Sequence, residues 1–139
     1  MLEAISATDI AVSGLKVQRA RMNVIANNIA NAFTTRGEDG GAFRRQMVIV
    51  RGESLNAPID PEKYGVEVKS VVSDPSPLRT VYEPQHPDAN EEGYVTYPNI
   101  SSAVEMVDLV VAQRAYEANV AVIVSDKNMA QTALTIIQA

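Results

Sequence analysis

The sequence predicts an α+β fold in which long N- and C-terminal helices pair as a coiled-coil-like hairpin, with a small β-rich insert between them. Residues 101–139 contain neither proline nor glycine, and their apolar side chains recur at helical spacing. By contrast, all seven prolines and six of the seven glycines fall within residues 33–100. The predicted units are therefore an N-terminal helix over residues 1–32, the insert over 33–100 and a C-terminal helix over 101–139.

Within the N-terminal helix, residues 2–32 show apolar side chains on more than one side. One row consists of Ile5, Val12, Arg19 and Ala26, its companion of Thr8, Leu15, Met22 and Ile29, and a further stripe of Ile10, Val17 and Val24. Two apolar stripes predict neighbours on both sides of the helix. Gly14 and four asparagines are poor helix formers, so we expect packing to stabilise this helix.

The insert combines turn residues with short runs rich in Val, Ile, Tyr and Thr. Residues 34–41 form a glycine-containing loop. The strand candidates that follow are residues 43–51, 65–72, 78–82 and 93–97. An insert of this size is marginal for independent stability, so we expect it to pack on the helices.

The C-terminal helix carries a seven-residue repeat that predicts a packing seam. One row is Met106, Gln113, Val120, Lys127 and Leu134, and the companion row is Leu109, Tyr116, Ile123, Ala130 and Ile137. Ser102 and Glu105 have the spacing of a capping box at its start. At 1.5 Å per residue the helix would be roughly 55 Å long, too long for one compact domain of this size to bury. We therefore expect copies of the chain to cover one another in a lateral array rather than a closed dimer.

The composition excludes several classes of function. A net charge of −5 gives no electrostatic footprint for nucleic acid. The absence of cysteine removes disulfides, thiolate catalysis and cysteine-type zinc sites. A cleaved signal peptide has a basic start followed by an apolar block, and the N-terminal residues do not show this pattern. No apolar run approaches the roughly 18 residues of a transmembrane segment. We expect a soluble chain made in the cytosol, with no cofactor.

The only histidine, His86, lies in a His-Pro-Asp turn near Asp74, Glu83 and Asp88. One histidine with acidic neighbours is weak support for a metal or acid–base site. We therefore expect a rigid turn here and no catalytic or metal-binding residue.

Three runs of sequence resemble known proteins. The run Asn27-Asn28-Ile29-Ala30-Asn31 with Thr34-Thr35 resembles the N-terminal signature of bacterial flagellar rod and hook proteins. Residues 105–120, which include Arg114, Tyr116 and Asn119, are similar to the C-terminal signature of the same axial family. The resemblance narrows to the proximal-rod members of this family through residues 81–89, 92–95 and 98–99. Two residues, Phe33 and Phe43, depart mildly from the family's pattern.

The resemblance implies a structural subunit rather than an enzyme. Members of the family leave the cell through the flagellar type III export apparatus without a cleaved signal, and they assemble helically around a central channel. The rod crosses the periplasm and transmits torque from the membrane ring toward the hook. The implied partners are copies of this chain, other rod proteins, membrane-ring or rod-base proteins and the export apparatus in transit. Two alternatives stay open: a helical-hairpin adaptor that binds a single partner protein, and a small enzyme that depends on His86.

The candidate interface and helix-packing residues lie on both helices. They are Val12, Leu15, Met22, Asn27, Asn28, Ile29, Asn31, Met106, Leu109, Arg114, Tyr116, Asn119, Val120, Ile123, Leu134 and Ile137. For the asparagines we favour amides that bond to the other helix or to a neighbouring subunit, the alternative being a frayed helix end. We expect Tyr116 to be buried with its hydroxyl paired. Arg19 and Lys127 either lay their stems along the seam or form ion pairs between subunits.

Overall fold

A computed structural model describes residues 7–37, 40–54 and 64–138 of the chain. The elements follow in the order α1 (Ala7–Ala30), β1 (Gln46–Ser54), β2 (Tyr64–Ser73), β3 (Arg79–Tyr82), β4 (Tyr94–Tyr97) and α2 (Ser102–Gln138). The predicted α+β class is confirmed, as are all four strands, whose bounds differ from the predicted ones by three residues at most. The first six residues of the predicted N-terminal helix lie outside the described residues.

The two helices pack against each other in antiparallel directions. Near the start of α1, the Thr8 hydroxyl donates a 2.6 Å hydrogen bond to Asp126. Gly14 lies against the side chain of Asn119, so closely that a Cβ atom there would be 2.9 Å from the Asn119 Oδ1 atom. Toward the end of α1, Asn28 bonds to Glu105. As α1 advances, its contacts on α2 therefore move toward the start of α2.

The seam on α2 has only one of its two predicted rows. Leu109, Tyr116 and Ile123 of the companion row are half-buried, as predicted, but its last two members, Ala130 and Ile137, are exposed. The row that begins at Met106 is exposed throughout. The second row of the observed seam lies one residue earlier in the sequence and consists of Glu105, Ala112, Asn119 and Asp126. These side chains are small or polar, which allows α1 to approach closely and to form hydrogen bonds across the seam.

The predicted capping box at the start of α2 is wrong. The Glu105 N–H donates to the carbonyl of Ser101 at 3.0 Å, and the carboxylate of Glu105 turns into the protein. Ser101 is therefore the residue at which the hydrogen-bonding pattern of α2 begins.

The described residues of the insert form two separate two-stranded antiparallel sheets. The β1–β2 hairpin packs along α1, where the Val66 N–H donates to the Ser13 hydroxyl at 3.1 Å. The second sheet pairs β3 with β4 and buries Val95 completely. Its connecting turn closes at Gly93, whose φ of +83° and close contact with the Tyr82 ring both require glycine.

None of the helices in the described part of the chain combines the length and apolar character needed to cross a membrane.

Candidate assembly surfaces

A polar junction joins the insert to both helices at the end of α1. We define it as Asn28, Arg45, Gln46, Asp74 and Glu105. Asn28 is only 1% exposed. Its amide nitrogen donates 2.9 Å hydrogen bonds to the Glu105 carboxylate and to the Gln46 carbonyl, and its amide oxygen accepts the Gln46 N–H at 2.9 Å. One side chain thus pairs with the first residue of β1 as a strand would, and also bonds to α2.

The carboxylate of Glu105 is equally buried, at 1% exposure, and it is neutralised by Arg45. The Arg45 Nε atom lies 2.6 Å from the Glu105 carboxylate, its Nη2 atom lies 3.4 Å from Asp108, and its Nη1 atom lies 3.7 Å from Asp74. Burial by itself would lower the pKa of Arg45. The hydrogen bond to Glu105 and the surrounding carboxylates outweigh that effect and raise this pKa. Removing Arg45 would leave the buried Glu105 carboxylate without its counter-charge, whereas removing Glu105 would leave Arg45 with the more distant Asp108 and Asp74.

Asp74 and Asn99 extend the polar junction toward the second sheet. Hydrogen bonds from the hydroxyl and the N–H of Ser76, and then the charge of Arg45, lower the pKa of Asp74. The Asp74 N–H donates to the Arg45 carbonyl at 2.7 Å, and Asn99 accepts the Arg45 N–H at 2.9 Å. In the described ranges, every buried side-chain nitrogen and oxygen has a hydrogen-bond partner.

The candidate residues of α1 divide into one that bridges the helices and others that do not. Of the three asparagines, only Asn28 bonds to α2. Asn27 bonds to the side chain of Gln46, while Asn31 bonds back to Asn27 and accepts from Thr34, as expected for a helix end. Among the apolar candidates Leu15, Met22 and Ile29 are half-buried, and Val12 is exposed.

The candidate residues of α2 lie on different sides of the helix. Arg114 is exposed and pairs with Glu117 at 3.0 Å, and the Asn119 amide donates to the Ala115 carbonyl at 2.8 Å. Tyr116 is half-buried, and its hydroxyl forms no hydrogen bond to any residue that the structure describes, so the expected pairing is absent. Leu109 and Ile123 are half-buried, whereas Met106, Val120, Leu134 and Ile137 are exposed.

Both basic residues that interrupt the predicted rows are exposed. Neither Arg19 nor Lys127 has an ion pair within residues 7–37, 40–54 and 64–138. The four acidic residues of α2 bond elsewhere in the chain: Glu105 and Asp108 to Arg45, Glu117 to Arg114, and Asp126 to Thr8.

Away from the seam, α2 presents two exposed apolar flanks and a back of mixed polar and small apolar side chains. With about 100° of rotation per residue, the flanks lie roughly 110° to either side of the seam. The valine flank consists of Val104, Val111, Val122, Met129 and Ile136, and the methionine flank of Met106, Val110, Val120 and Val124. The back, opposite the seam, consists mainly of Ala103, Val107, Arg114, Ala121, Ser125 and Thr132. Exposure on the flanks ranges from 38% at Val120 to 72% at Ile136, so no part of the chain that the structure describes covers them.

His86 has a structural position in the turn before β4. Its Nδ1 atom accepts the Asp88 N–H at 3.0 Å. Asp88 in turn forms a 2.8 Å ion pair with Arg36 and accepts a hydrogen bond from Thr35, which fixes this turn to the segment after α1. The described residues contain no group of three or more acidic or histidine side chains arranged to hold a metal ion.

Sequence reasoning missed Arg45, Gln46 and the buried role of Glu105. Glu105 stands seven and fourteen residues before Ala112 and Asn119, the spacing of a seam row. A polar residue in such a row was the available signal for a buried partner, but nothing in the sequence identifies Arg45 as that partner.

The chain was compared with known families and proteins. The family model described as "Flagella basal body rod protein" matches residues 9–36, and "Flagellar basal body rod FlgEFG protein C-terminal" matches residues 91–136. The flagellar basal-body rod protein FlgC of Borreliella burgdorferi is 44% identical, over 96% of this chain and 97% of its own length. The chain belongs to the FlgC family of flagellar basal-body rod proteins.

Other FlgC proteins match over nearly the same length. The FlgC protein of Bacillus subtilis is 38% identical over 97% of this chain and 99% of its own, and that of Escherichia coli O6:H1 is 40% identical over 92% and 93%. The resemblance to flagellar rod proteins is confirmed. Membership of the FlgC family makes the chain a structural protein of the flagellar basal body.

Proposed function

We propose that this chain is a structural subunit of the flagellar proximal rod, where it assembles helically around the export channel and transmits torque from the membrane ring toward the hook. In this proposal residues 1–32 and 101–139 form the axial core, and residues 33–100 form an insert on its outer side. The subunit reaches the periplasm through the flagellar export apparatus, without a cleaved signal peptide. Its partners are other copies, further rod proteins and proteins at the base of the rod.

The observation that carries this proposal is the pair of uncovered flanks on α2. Soluble proteins that act alone rarely leave apolar surface of this extent exposed. A helix with apolar residues on several sides belongs in a bundle with neighbours on those sides. Since the described part of α1 covers only the seam, we take the remaining neighbours to come from other molecules.

The polar junction supports the torque-transmitting part of the proposal. Its hydrogen bonds connect α1, β1 and α2, so the insert is held to both helices by short, charge-assisted contacts. Such contacts are directional, and they resist rotation of the insert relative to the axial core better than apolar packing alone.

Complementation with biochemical analysis tests the proposal. In a flagellated bacterium that lacks its own FlgC protein, the chain should restore motility and should be present in purified basal bodies. Hydrogen exchange provides the second measurement. Amides of α2 beyond Asp126 should exchange rapidly in the isolated protein and slowly in the assembled rod, because no residue that the structure describes covers that region within one copy.

The adaptor alternative makes the opposite prediction. An adaptor would be recovered in a soluble one-to-one complex that protects both helices, and it would be absent from purified basal bodies. That outcome would refute a structural role in the rod.

A further inference from the structure

We propose that the second sheet of the insert forms a head-to-tail contact between copies, in which the tyrosine end of one copy packs on the proline end of the next. The tyrosine end consists of Tyr82, Tyr94, Glu91 and Glu92, and the proline end of Pro75, Pro77, Arg44 and Arg79. This inference rests on the proposed function and identifies a surface through which the inserts of neighbouring copies meet.

The tyrosine end is an exposed aromatic surface that its own turn holds in place. Tyr82 and Tyr94 are partners across β3 and β4, and their rings meet edge to face with centroids 5.3 Å apart. The Tyr82 ring lies against Gly93, where a Cβ atom would be 2.8 Å from it. Even so, Tyr82 is 62% exposed and Tyr94 is 44% exposed. Tyrosines held in this way bind partners at a low cost in conformational entropy.

The proline end is a short exposed segment that leads into β3. The Arg44 guanidinium donates hydrogen bonds to the carbonyls of Asp74 and Ser76, at 3.4 Å and 3.2 Å, and so fixes the backbone on either side of Pro75. Pro75 and Pro77 are both exposed. Proline-containing segments with a fixed backbone bind aromatic surfaces because little conformational entropy remains to be lost. The two ends of the sheet therefore have complementary apolar groups.

The unpaired charges of the two ends are opposite. Glu91 and Glu92 are exposed at the tyrosine end and form no ion pair within residues 7–37, 40–54 and 64–138. Within the same ranges, Arg44 and Arg79 at the proline end also have no ion pair. Arg79 instead lies over the ring of Tyr97, 5.3 Å from its centroid. Contact between unlike ends thus brings two carboxylates to two guanidinium groups.

The other charged groups near these ends do not reverse this complementarity. Beside the tyrosine end, Asp88 is paired with Arg36 at 2.8 Å. Glu83 accepts a hydrogen bond from a tyrosine hydroxyl of its own sheet, and its charge has the sign of that end. At the proline end, the Asp74 side chain is only 16% exposed and faces Arg45. It therefore leaves the exposed charge of the proline end positive.

The charges also distinguish a head-to-tail contact from a symmetric one. Pro84 and Pro87 are exposed in the turn of the tyrosine end itself, so contact between tyrosine and proline would by itself permit two tyrosine ends to meet. That arrangement would bring the unpaired carboxylates of two copies together, which is unfavourable. In contrast, β3 separates the unlike ends by about 10 Å, and each copy offers one end in each direction. Such a contact propagates as an open series or closes as a ring.

Cysteine crosslinking in purified basal bodies tests the contact, and the chain has no cysteine of its own. The contact is small, so we expect it between copies that the axial core already holds at a high effective concentration. One chain carries Ser73→Cys beside the proline end, and a second, co-expressed chain carries Gln85→Cys beside the tyrosine end; both positions are exposed. A short bismaleimide joins them. The matched control replaces Ser73→Cys with Thr132→Cys, which is exposed on α2.

The expected result is a dimer that contains one chain of each kind. It should be absent when either chain assembles alone and absent in the control with Thr132→Cys. A dimer formed by the Gln85→Cys chain alone would show that two tyrosine ends meet, and would overturn the inference. A mixture that enters basal bodies and gives no dimer, or gives adducts only with a different protein, would also overturn it. Absence of the chain from basal bodies would instead refute the proposed function itself.

Charge reversal provides a second measurement on the same crosslink. Adding Glu91→Lys and Glu92→Lys to the chain with the cysteine beside the tyrosine end should remove most of the dimer, because like charges then meet. Adding Arg44→Glu and Arg79→Glu to the other chain should restore the dimer in the mixture. A yield that the first reversal leaves unchanged, or that the second reversal fails to restore, would contradict the pairing of these ends.

Discussion

The buried ion pair of the polar junction allows a quantitative prediction. Replacing Glu105 with alanine removes the carboxylate that both Arg45 and Asn28 bond to, at 2.6 Å and 2.9 Å. Removing one partner of a buried pair costs about 3–5 kcal/mol. Arg45 keeps Asp108 and Asp74 nearby, and its side chain is 24% exposed, so we expect the lower end of that range. A loss of about 3 kcal/mol lowers the folding equilibrium constant by roughly two orders of magnitude.

The matched control for Glu105→Ala is Glu117→Ala. Both glutamates lie on α2 and pair with an arginine, but the Arg114–Glu117 pair is exposed at 79% and 63% of its side-chain surfaces. Exposed pairs of this kind contribute about 0.3–0.5 kcal/mol. Urea unfolding of the purified full-length chain, followed by circular dichroism, compares the two variants. Glu105→Gln keeps an acceptor for Asn28 and should fall between them. Equal stability of Glu105→Ala and Glu117→Ala would refute the reasoning that the buried pair fixes the insert.

Three further predictions concern close contacts and acid. Gly14→Ala should fail to gain the roughly 1 kcal/mol that alanine usually brings over glycine inside a helix, because the new methyl group meets the Asn119 side chain. Adding Asn119→Ala should release that gain, and full stabilisation by Gly14→Ala alone in thermal unfolding would contradict the contact. Gly93→Ala should lower the free energy of unfolding by about 2 kcal/mol, because it combines a φ of +83° with a tyrosine ring 2.8 Å from the new atom. The control Gly40→Ala has open space around the new atom and should lower it by about 1 kcal/mol. The pKa of Asp74 is lowered in the folded chain, so its contribution to stability is present above its ordinary pKa and is lost as the pH falls through the lower folded value. The urea midpoint should therefore fall between about pH 5 and pH 3 by more in the unaltered chain than in Asp74→Asn, and parallel curves would disprove the assignment.

Much of the fold could be predicted because local signals agree with one another. The region between the helices holds every proline, and α2 has neither proline nor glycine across its whole length. Strand residues alternate with turn residues in the insert, so β1, β2, β3 and β4 were predicted close to their observed positions. The resemblance in the two terminal runs also led to the correct family.

The phase of the seam could not be predicted from apolar spacing. Because α2 is apolar on three sides, several choices of row satisfy the same helical repeat, and the row that begins at Met106 was as regular as the observed one. The observed row contains Glu105 and Asn119, which fit the seam through particular partners on α1 and in the insert: Asn28, Arg45 and Gly14. These partners are distant in sequence, so no local pattern identifies them.

The sequence by itself therefore determined the elements, the chain's family and the amount of apolar surface that one copy is unable to bury. The tertiary structure decided which face of α2 meets α1, and where a buried carboxylate finds its arginine. The physical reason is that apolar burial is non-directional and scales with area, whereas hydrogen bonds and ion pairs depend on the positions of specific atoms that only the folded chain brings together.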